Sequence, residues 1–391
     1  MMITYEEALE IVLNNAYLFD KETTSLLNSN RRLLAEDVFS DINMPPFNRS
    51  AVDGFACRRA DISLELEVIE TVRAGQFPAK NIEQGKCTRI MTGAPVPEGA
   101  DCVLMVEETT ETASGRIKFT GEKTKTNISP FAEDVKTGDC VLNAGTVISP
   151  QHIAIMAAVG YVNPLVYRKP KVAIIATGDE IVEPHLKPGL SQIRNSNGYQ
   201  LTVQAAQAGT EARYMGIAPD TEEDTFRILN EALDQSDVVL LTGGVSMGTY
   251  DFVPKILEKA GINILFRTIA LQPGKPTIFG TRGEKRIFGL PGNPVSSFTI
   301  FEILVKPMIC KMMGVNAPVK HMRLPLGADY QRKRNDRMQW LPVEIREGKV
   351  YPLEYHGSAH IFALAEAGGL AAIPLGTTHM NAGDLIDVRP V

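Results

Sequence analysis

Residues 237–251 read DVVLLTGGVSMGTYD, and the reading of this stretch decides the fold. Val238, Val239, Leu240 and Leu241 form an unbroken apolar run without polar alternation. Such a run suits a strand covered on both faces, as in a parallel α/β sheet. It leads directly into Thr242, Gly243, Gly244, Val245, Ser246 and, two residues later, Gly248. Glycine serves where the backbone takes positive φ or where a ligand approaches bare N–H groups. Asp251 supplies an acid just past this loop. In open α/β sheets ligands bind beyond the carboxyl ends of the strands, so the loop is expected to floor an active site.

Outward from this stretch, residues 169–314 alternate strand and helix patterns. Val172 opens an apolar run ending at Thr177-Gly178-Asp179-Glu180. Asn197 begins a helix through Leu201 and Ala205, and Thr221 caps another with Phe226, Leu229 and Leu233 on its inner face. A helix from about Val253 closes at Gly261. A hairpin is expected around Arg282-Gly283-Glu284-Lys285. Pro291-Gly292-Asn293-Pro294 then starts a long helix, with Asn293 as N-cap and Pro294 at its first position. The alternation implies a doubly wound sheet. The flanking segments differ in texture. Thr4 with Glu7 forms a capping box for a helix whose apolar face is expected at Leu9, Val12, Leu13 and Ala16. Residues 43–138 carry short β-type runs between turn signals, and residues 315–391 return to short strands punctuated by proline. The expected division is 1–42 with 139–168 as a linking domain, 43–138 as a β-rich domain, 169–314 as the α/β domain and 315–391 as a small β-barrel-like domain.

Length and composition fit this multidomain α/β plus β architecture. A chain of 391 residues exceeds one ordinary core. A formal charge of −6 argues against a nucleic-acid-binding surface. Five widely spaced cysteines without a CxxC pair fit neither a disulfide framework nor a structural zinc site, and point to a reducing cytosol. The N-terminus lacks the basic and apolar regions of a signal peptide, and no apolar run approaches the roughly 20 residues of a membrane helix. The expectation is a soluble, cytoplasmic protein.

Three loops, 177–180, 242–251 and 291–294, follow strand-like runs and gather at one edge if those strands are parallel neighbours. The helix start at Asn293 to Val295 would direct orphan N–H groups there, favouring an anion. Pro273-Gly274-Lys275-Pro276 adds a positive charge on a stiff turn, while the GxxxxGK[ST] pattern of a P-loop is absent. Acids are frequent at these turns: Asp179, Glu180, Asp220 and Asp251, with Asp53 and Asp134 on loops elsewhere. Two like charges about 4 Å apart repel by roughly 4 kcal/mol at an effective dielectric near 20, so a convergent set calls for a cation. All-oxygen ligands beside a phosphate indicate Mg²⁺ rather than zinc. Ser296 and Ser297 lack a nearby His-Asp arrangement and read as anion donors rather than nucleophiles.

These residues fall into an ordered set of motifs. They are Pro45-Pro46-Phe47-Asn48-Arg49-Ser50-Ala51-Val52-Asp53-Gly54, then Met91-Thr92-Gly93-Ala94-Pro95, then Ala176-Thr177-Gly178-Asp179-Glu180 and Asn195-Ser196-Asn197. Thr242-Gly243-Gly244-Val245-Ser246-Met247-Gly248, Pro273-Gly274-Lys275-Pro276 and Pro291-Gly292-Asn293-Pro294 complete it. Together the set resembles the molybdopterin molybdenumtransferase family, which includes MoeA and the gephyrin E-domain. The resemblance runs from about residue 4 to 370. It implies an elongated homodimer whose subunits insert molybdenum from molybdate into adenylylated molybdopterin, with Mg²⁺ and release of AMP. It also implies contact with the molybdopterin adenylyltransferase and with recipient molybdoenzymes. The family's functional residues fall on Asp53, Thr92, Asp134, Glu180, Asp220 and Asp251, of which Glu180, Asp220 and Asp251 are the expected Mg²⁺ ligands. The substrate is expected at Gly243, Gly244, Ser246, Pro291 and Pro294. Lys275, Asn293 and Ser296, joined by Ser358 and by Arg334 or Arg337, are expected at the molybdate oxygens. The site is expected between the 169–314 domain of one subunit and the Asp53 and Thr92 domain of its partner.

This chain departs from the family pattern in two places. Gln272 stands where many members carry lysine, and residues 331–340, QRKRNDRMQW, do not align cleanly with the family's arginine motif. Two other readings compete. A nucleotidyl transferase acting on molybdopterin would resemble residues 171–314 only, and the extra domains and Val245 argue against it. A receptor-clustering scaffold would need a second fused domain and a long linker.

Overall fold

Strict alternation along two buried strands explains why helices cover both faces of one sheet. In β1 (Lys171–Thr177), Val172 and Ile174 enter one apolar core while Ala173 and Ile175 enter the other. The stretch read first behaves the same way: Val238 and Leu240 face the first core, Val239 and Leu241 the second. With no face left for water, each position must be apolar, which is why the run shows no polar alternation. The computed structural model describes residues 2–245, 253–315, 322–354 and 357–391. Ser246 and Asp251, both candidate site residues, lie outside the described residues.

The chain divides into two units, one of residues 1–24, 31–35 and 165–391, the other of residues 25–30 and 36–164. In the first, the central sheet contains β1, β2 (Glu211–Ala218), β3 (Val238–Thr242), β4 (Asn263–Thr268), β5 (Pro276–Arg282) and β6 (Lys285–Leu290), in spatial order β2-β1-β3-β6-β5-β4. The first four in that order are mutually parallel. The expected hairpin is present as β5 and β6, and its antiparallel return makes the sheet mixed. Strands β2 and β4 were not anticipated; both are only half-buried, so their apolar pattern is weak.

Helices α1 (Asn197–Gln207), α2 (Glu222–Gln235), α3 (Val253–Lys259) and α4 (Pro294–Ile300) pack on the two faces. Thr221 caps α2 by accepting from the Asp224 amide at 3.2 Å. Asn293 is the N-cap of α4 and Pro294 its first residue, and the helix continues through a π-helical turn, Phe301–Val305, into Lys306–Met312. The N-terminal helix Tyr5–Asn14 carries the expected capping box, with the Thr4 amide donating to Glu7 at 2.8 Å and the Glu7 amide to Thr4 at 3.2 Å. Of the expected face, Val12 is buried and Leu9 and Ala16 are half-buried against the same core, while Tyr5 and Ala8, not anticipated, are buried beside them. Tyr5 turns that face inward by packing edge-on against Trp340, ring centres 5.8 Å apart.

The C-terminal sheet shares this core. Trp340 and Leu370 are buried in the same cluster as β1 and β3. Strand Leu271–Gln272 leaves the α/β region to pair in parallel with Met338–Arg346. The buried Arg389 guanidinium lies 5.2 Å from the centre of the Trp340 ring and donates to the carbonyl of Glu302. Removing a fully buried leucine from such a core leaves a cavity. Leu240→Ala is expected to lower stability by about 2–5 kcal/mol, read as a fall in the urea midpoint; an unchanged midpoint would place Leu240 outside the core.

The second unit holds its own six-stranded sheet, in the order Cys102–Met105, Gly54–Cys57, Lys86–Ile90, Glu65–Val72, Arg116–Phe119 and Thr109–Ala113. Phe55, Leu66, Leu104 and Ile117 fill one face.

Candidate active site

Strand register sets where the loops of the first unit end. Thr177 of β1 pairs with Ala218 of β2, Ala176 with Thr242 of β3, and Thr242 with Leu290 of β6. Four neighbouring parallel strands therefore release their chains at one carboxyl edge. Asp179 and Glu180, Asp220, the Gly243-Gly244 loop and Pro291-Gly292-Asn293 all leave there, as the sequence suggested.

Side chains stitch these loops together. Asn197 Nδ2 donates to Thr242 Oγ1 at 2.9 Å and to the Gly292 carbonyl at 2.7 Å. Thr242 Oγ1 donates onward to the Pro291 carbonyl at 3.2 Å, and the Gly243 amide to the Leu290 carbonyl at 3.1 Å. Gly243 is required twice over: φ is +102° and a Cβ would stand 2.3 Å from the Thr177 carbonyl. Asn195 fastens the start of α1, accepting from the Gly198 amide at 3.0 Å and donating to Tyr214 at 2.6 Å. Tyr214 in turn donates to Glu183 at 2.7 Å, and burial with this carboxylate pushes its phenol above the ordinary value.

A cavity of about 690 Å³ opens on this edge. Thr177, Glu180, Asn195, Asn197, Gly243, Gly244, Pro291, Asn293 and Pro294 line it from the sheet side, with Ala359, Ile361 and Phe362 from the C-terminal region. Of these, Thr177, Asn195, Asn197, Ala359, Ile361 and Phe362 were not among the expected site residues. Thr177, Asn195 and Asn197 stand inside the motifs already recognised, whereas nothing in the sequence signals the C-terminal trio.

Two of the acidic loops meet at this edge. Glu180 is exposed on the cavity wall, and the half-buried Asp220 donates its amide to Asp179 at 3.0 Å, which ties two of the acidic loops together. Asp251 lies outside the described residues, and among the described residues no group of three His, Cys, Asp or Glu is gathered to hold a metal. The donors present are hard oxygens, the kind Mg²⁺ takes when substrate phosphates complete its shell.

On the anion side, Lys275 is exposed beside the lining residue Pro276. Arg337 donates to the Leu271 carbonyl at 3.5 Å, at the root of the same turn, whereas Arg334 is exposed. Ser358 reaches the start of α4, where its hydroxyl accepts from Asn293 Nδ2 at 2.8 Å and its carbonyl from the Val295 amide at 3.1 Å. The Ser296 and Ser297 amides bond to the Asn293 carbonyl. The expected free N–H groups at this helix start are therefore engaged, and Ser296 is buried at 3% exposure. Any anion here is met chiefly by side chains.

In the second unit, Asp53 accepts from the Thr92 amide and hydroxyl, both at 2.7 Å. The amide first, and then the hydroxyl, holds this carboxyl below its ordinary value. The Asp134 loop is laced to the first motif through the Met44 carbonyl, which accepts the Asp134 amide at 2.9 Å, and through Asn48, which accepts the Phe131 amide at 2.8 Å. The unit thus gathers both N-terminal motifs and the Asp134 loop.

A glycine loop, engaged strand-end side chains and acids at one carboxyl edge define an α/β enzyme of multidomain build, its site suited to a ligand with polar and apolar parts. The MoeA N-terminal region (domain I and II) matches residues 3–160, the "Probable molybdopterin binding domain" residues 173–311, and the MoeA C-terminal region (domain IV) residues 323–391. A molybdopterin molybdenumtransferase of Staphylococcus epidermidis is 35% identical over 400 residues, covering 99% of this chain and 95% of that one. The Bacillus subtilis protein of the same name is 35% identical over 403 residues, covering 99% and 93%. A crystal structure of the molybdopterin biosynthesis MoeA protein from Pyrococcus horikoshii superposes with a TM-score of 0.80 at 29% identity, covering 100% of both chains. The chain belongs to the MoeA family of molybdopterin molybdenumtransferases.

Two outcomes follow from this geometry. NMR titration should find Asp53 below the ordinary carboxylate range, and Thr92→Val should bring it part of the way back, since the amide donor remains. Because the folded-state value lies below the unfolded one, the stabilisation is present at neutral pH and fades as pH falls through the folded-state value. An unshifted Asp53 would contradict the contact. Gly243→Ala should cut turnover about 100-fold by displacing the loop, with the far-UV spectrum retained; wild-type rates would show that the loop tolerates a Cβ.

Proposed function

We propose that the protein takes adenylylated molybdopterin and molybdate, delivers molybdenum to the dithiolene in the presence of Mg²⁺, and releases AMP. The observation that carries this reading is the convergence of the acidic loops, the Gly243-Gly244 turn and the Asn293 helix start on one sheet edge, in a chain related to the family along its whole length.

In this reading Glu180, Asp220 and Asp251 hold the Mg²⁺, and Gly243, Gly244 and Ser246 offer backbone and hydroxyl groups to the phosphates. When bound, Mg²⁺ supplies charge neutralisation at the phosphoanhydride and makes the AMP a better leaving group. Pro291, Asn293 and Pro294 shape the wall on which the dithiolene end rests. Lys275 and Arg337 bring positive charge to the molybdate oxygens, with Ser358 and Ser296 nearby; Arg337 is favoured over Arg334 by its bond to Leu271. Gln272 carries no charge, so the anion depends more heavily on Lys275 and Arg337.

The working unit in this reading is a homodimer, with Asp53, Thr92 and Asp134 of one subunit completing the site of the other. We keep the four-part division, 1–42 with 139–168, 43–138, 169–314 and 315–391, as part of the same proposal, along with contacts to the adenylyltransferase and recipient molybdoenzymes. A cytoplasmic location is supported by five free cysteines, three of them buried side by side. Among the described residues no helix is long and apolar enough to cross a membrane.

The direct test is AMP release from adenylylated molybdopterin with Mg²⁺, with and without molybdate, for the wild type and Asp251→Ala. Molybdate-dependent release that the substitution abolishes, and that chelation of Mg²⁺ also stops, supports the reaction; no release from intact substrate under any condition sinks it. Mixing Asp53→Ala with Asp251→Ala subunits tests the shared site. With free exchange, half the dimers are mixed and each regains one of two sites, so activity should return to about a quarter of the wild type. A mixture as inactive as its components would place the whole site within one subunit.

A further inference from the structure

The cavity wall contributed by the C-terminal region has no role in the reading above. Phe362 lies there on the short turn Ile361–Leu364, lining the same cavity as Gly243 and Gly244, yet it is 91% exposed. An isolated exposed aromatic on a surface is ordinary, but one on the wall of a ligand cavity keeps its whole face available to an occupant.

Its position is built. His360 immediately precedes the turn and follows Ser358 and Ala359, and Ser358 is held to α4 by its bonds with Asn293 and Val295. The turn itself is closed by the Ala363 amide on the His360 carbonyl at 3.1 Å and the Ala365 amide on the Phe362 carbonyl at 3.1 Å. Phe362 is thus presented from a backbone anchored to the same helix start that borders the cavity.

The sheet side of the cavity carries a fixed amide. Asn197 is 8% exposed and lines the cavity, and its Oδ1 has no hydrogen-bond partner among the described residues. Its Nδ2 is committed to Thr242 and Gly292, both acceptors toward it, so the amide cannot turn over without losing both bonds. Against Phe362, a planar nitrogen heterocycle presents a matching π face.

We propose that Phe362 is a positioning residue that stacks on a planar nitrogen heterocycle of the substrate and sets its binding without taking part in the chemistry. The inference rests on the proposed substrate, which carries two such rings, pterin and adenine. Stacking of a base on an aromatic side chain is worth about tenfold in affinity.

The test uses the full chain under anaerobic conditions with Phe362→Ala, Phe362→Leu and Phe362→Trp. Equilibrium binding is measured separately for molybdopterin, AMP and molybdate, and KM and kcat for adenylylated molybdopterin. The expected result is that Phe362→Ala and Phe362→Leu weaken one heterocycle about tenfold, leave molybdate binding unchanged and raise KM with kcat retained, while Phe362→Trp binds as well as the wild type. Weakened molybdopterin binding identifies the pterin as the stacked ring, and weakened AMP binding identifies adenine. If leucine serves as well as phenylalanine, or no ligand and no KM responds to alanine, stacking is overturned. A wild type that binds the heterocycle through Phe362 but does not turn over would leave the stacking standing and sink the proposed reaction instead.

Discussion

The amide of Asn197 holds the active edge together. One nitrogen bridges the end of β3, through Thr242, and the loop after β6, through Gly292. Those two loops carry the glycine turn and the helix start respectively, and they are neighbours only because β3 and β6 pair in parallel. A buried amide donor with two well-placed acceptors is stabilising when satisfied and costly when either partner moves, so the pair of loops is held in one arrangement. Close packing at Gly243, where a Cβ would stand 2.3 Å from the Thr177 carbonyl, is held by a further bond, from its amide to the Leu290 carbonyl.

Upon this rigid edge the C-terminal sheet adds what the α/β region lacks. Trp340 and Leu370 share the apolar core of the central sheet, so the segments that carry Arg337 and Ser358 are positioned by packing and not by linker length. Ser358 occupies the amide of Val295 and the side chain of Asn293, which converts a generic helix N-terminus into a wall with defined side chains. Arg332 keeps the arginine-rich segment in place, donating to the carbonyls of Thr377 at 2.6 Å and Pro374 at 2.7 Å and to that of Arg337 at 3.0 Å. Of the three arginines in that stretch, one is thereby a strut, one reaches the Leu271 turn and one, Arg334, is exposed.

The second unit follows a different logic. Asp53 is exposed, yet two donors from Thr92 fix its direction and favour its charged form. The residues between and around them are stitched by short bridges, Ser50 with Ala94 and Gly93, Met44 with Val135. A carboxylate oriented in this way on a surface is prepared for something outside its own loop, which is the physical content of the shared-site proposal.

Much of this was legible in the chain itself. The uninterrupted apolar run 238–241 implied a strand buried on both faces, and the glycines after it implied a backbone that no side chain could share; both are local properties, set by burial and by φ. The capping box of Thr4 and Glu7 and the Asn293-Pro294 helix start were equally local. Periodicity brought Leu9, Val12 and Ala16 to the packed side of the first helix but missed Tyr5, because Tyr5 finds Trp340, 335 positions away in sequence. Strands β2 and β4 escaped notice since half-buried edges carry mixed patterns. The Val295 amide could not be known to be engaged by Ser358, nor could Phe362 be known to line the same cavity as Gly243, because both depend on a distant segment folding back over the sheet. Sequence determined the kinds of element, the turn chemistry and the motifs; tertiary structure alone decided which loops meet, since contact between residues far apart in the chain follows from strand register and shared core packing, neither of which any single stretch encodes.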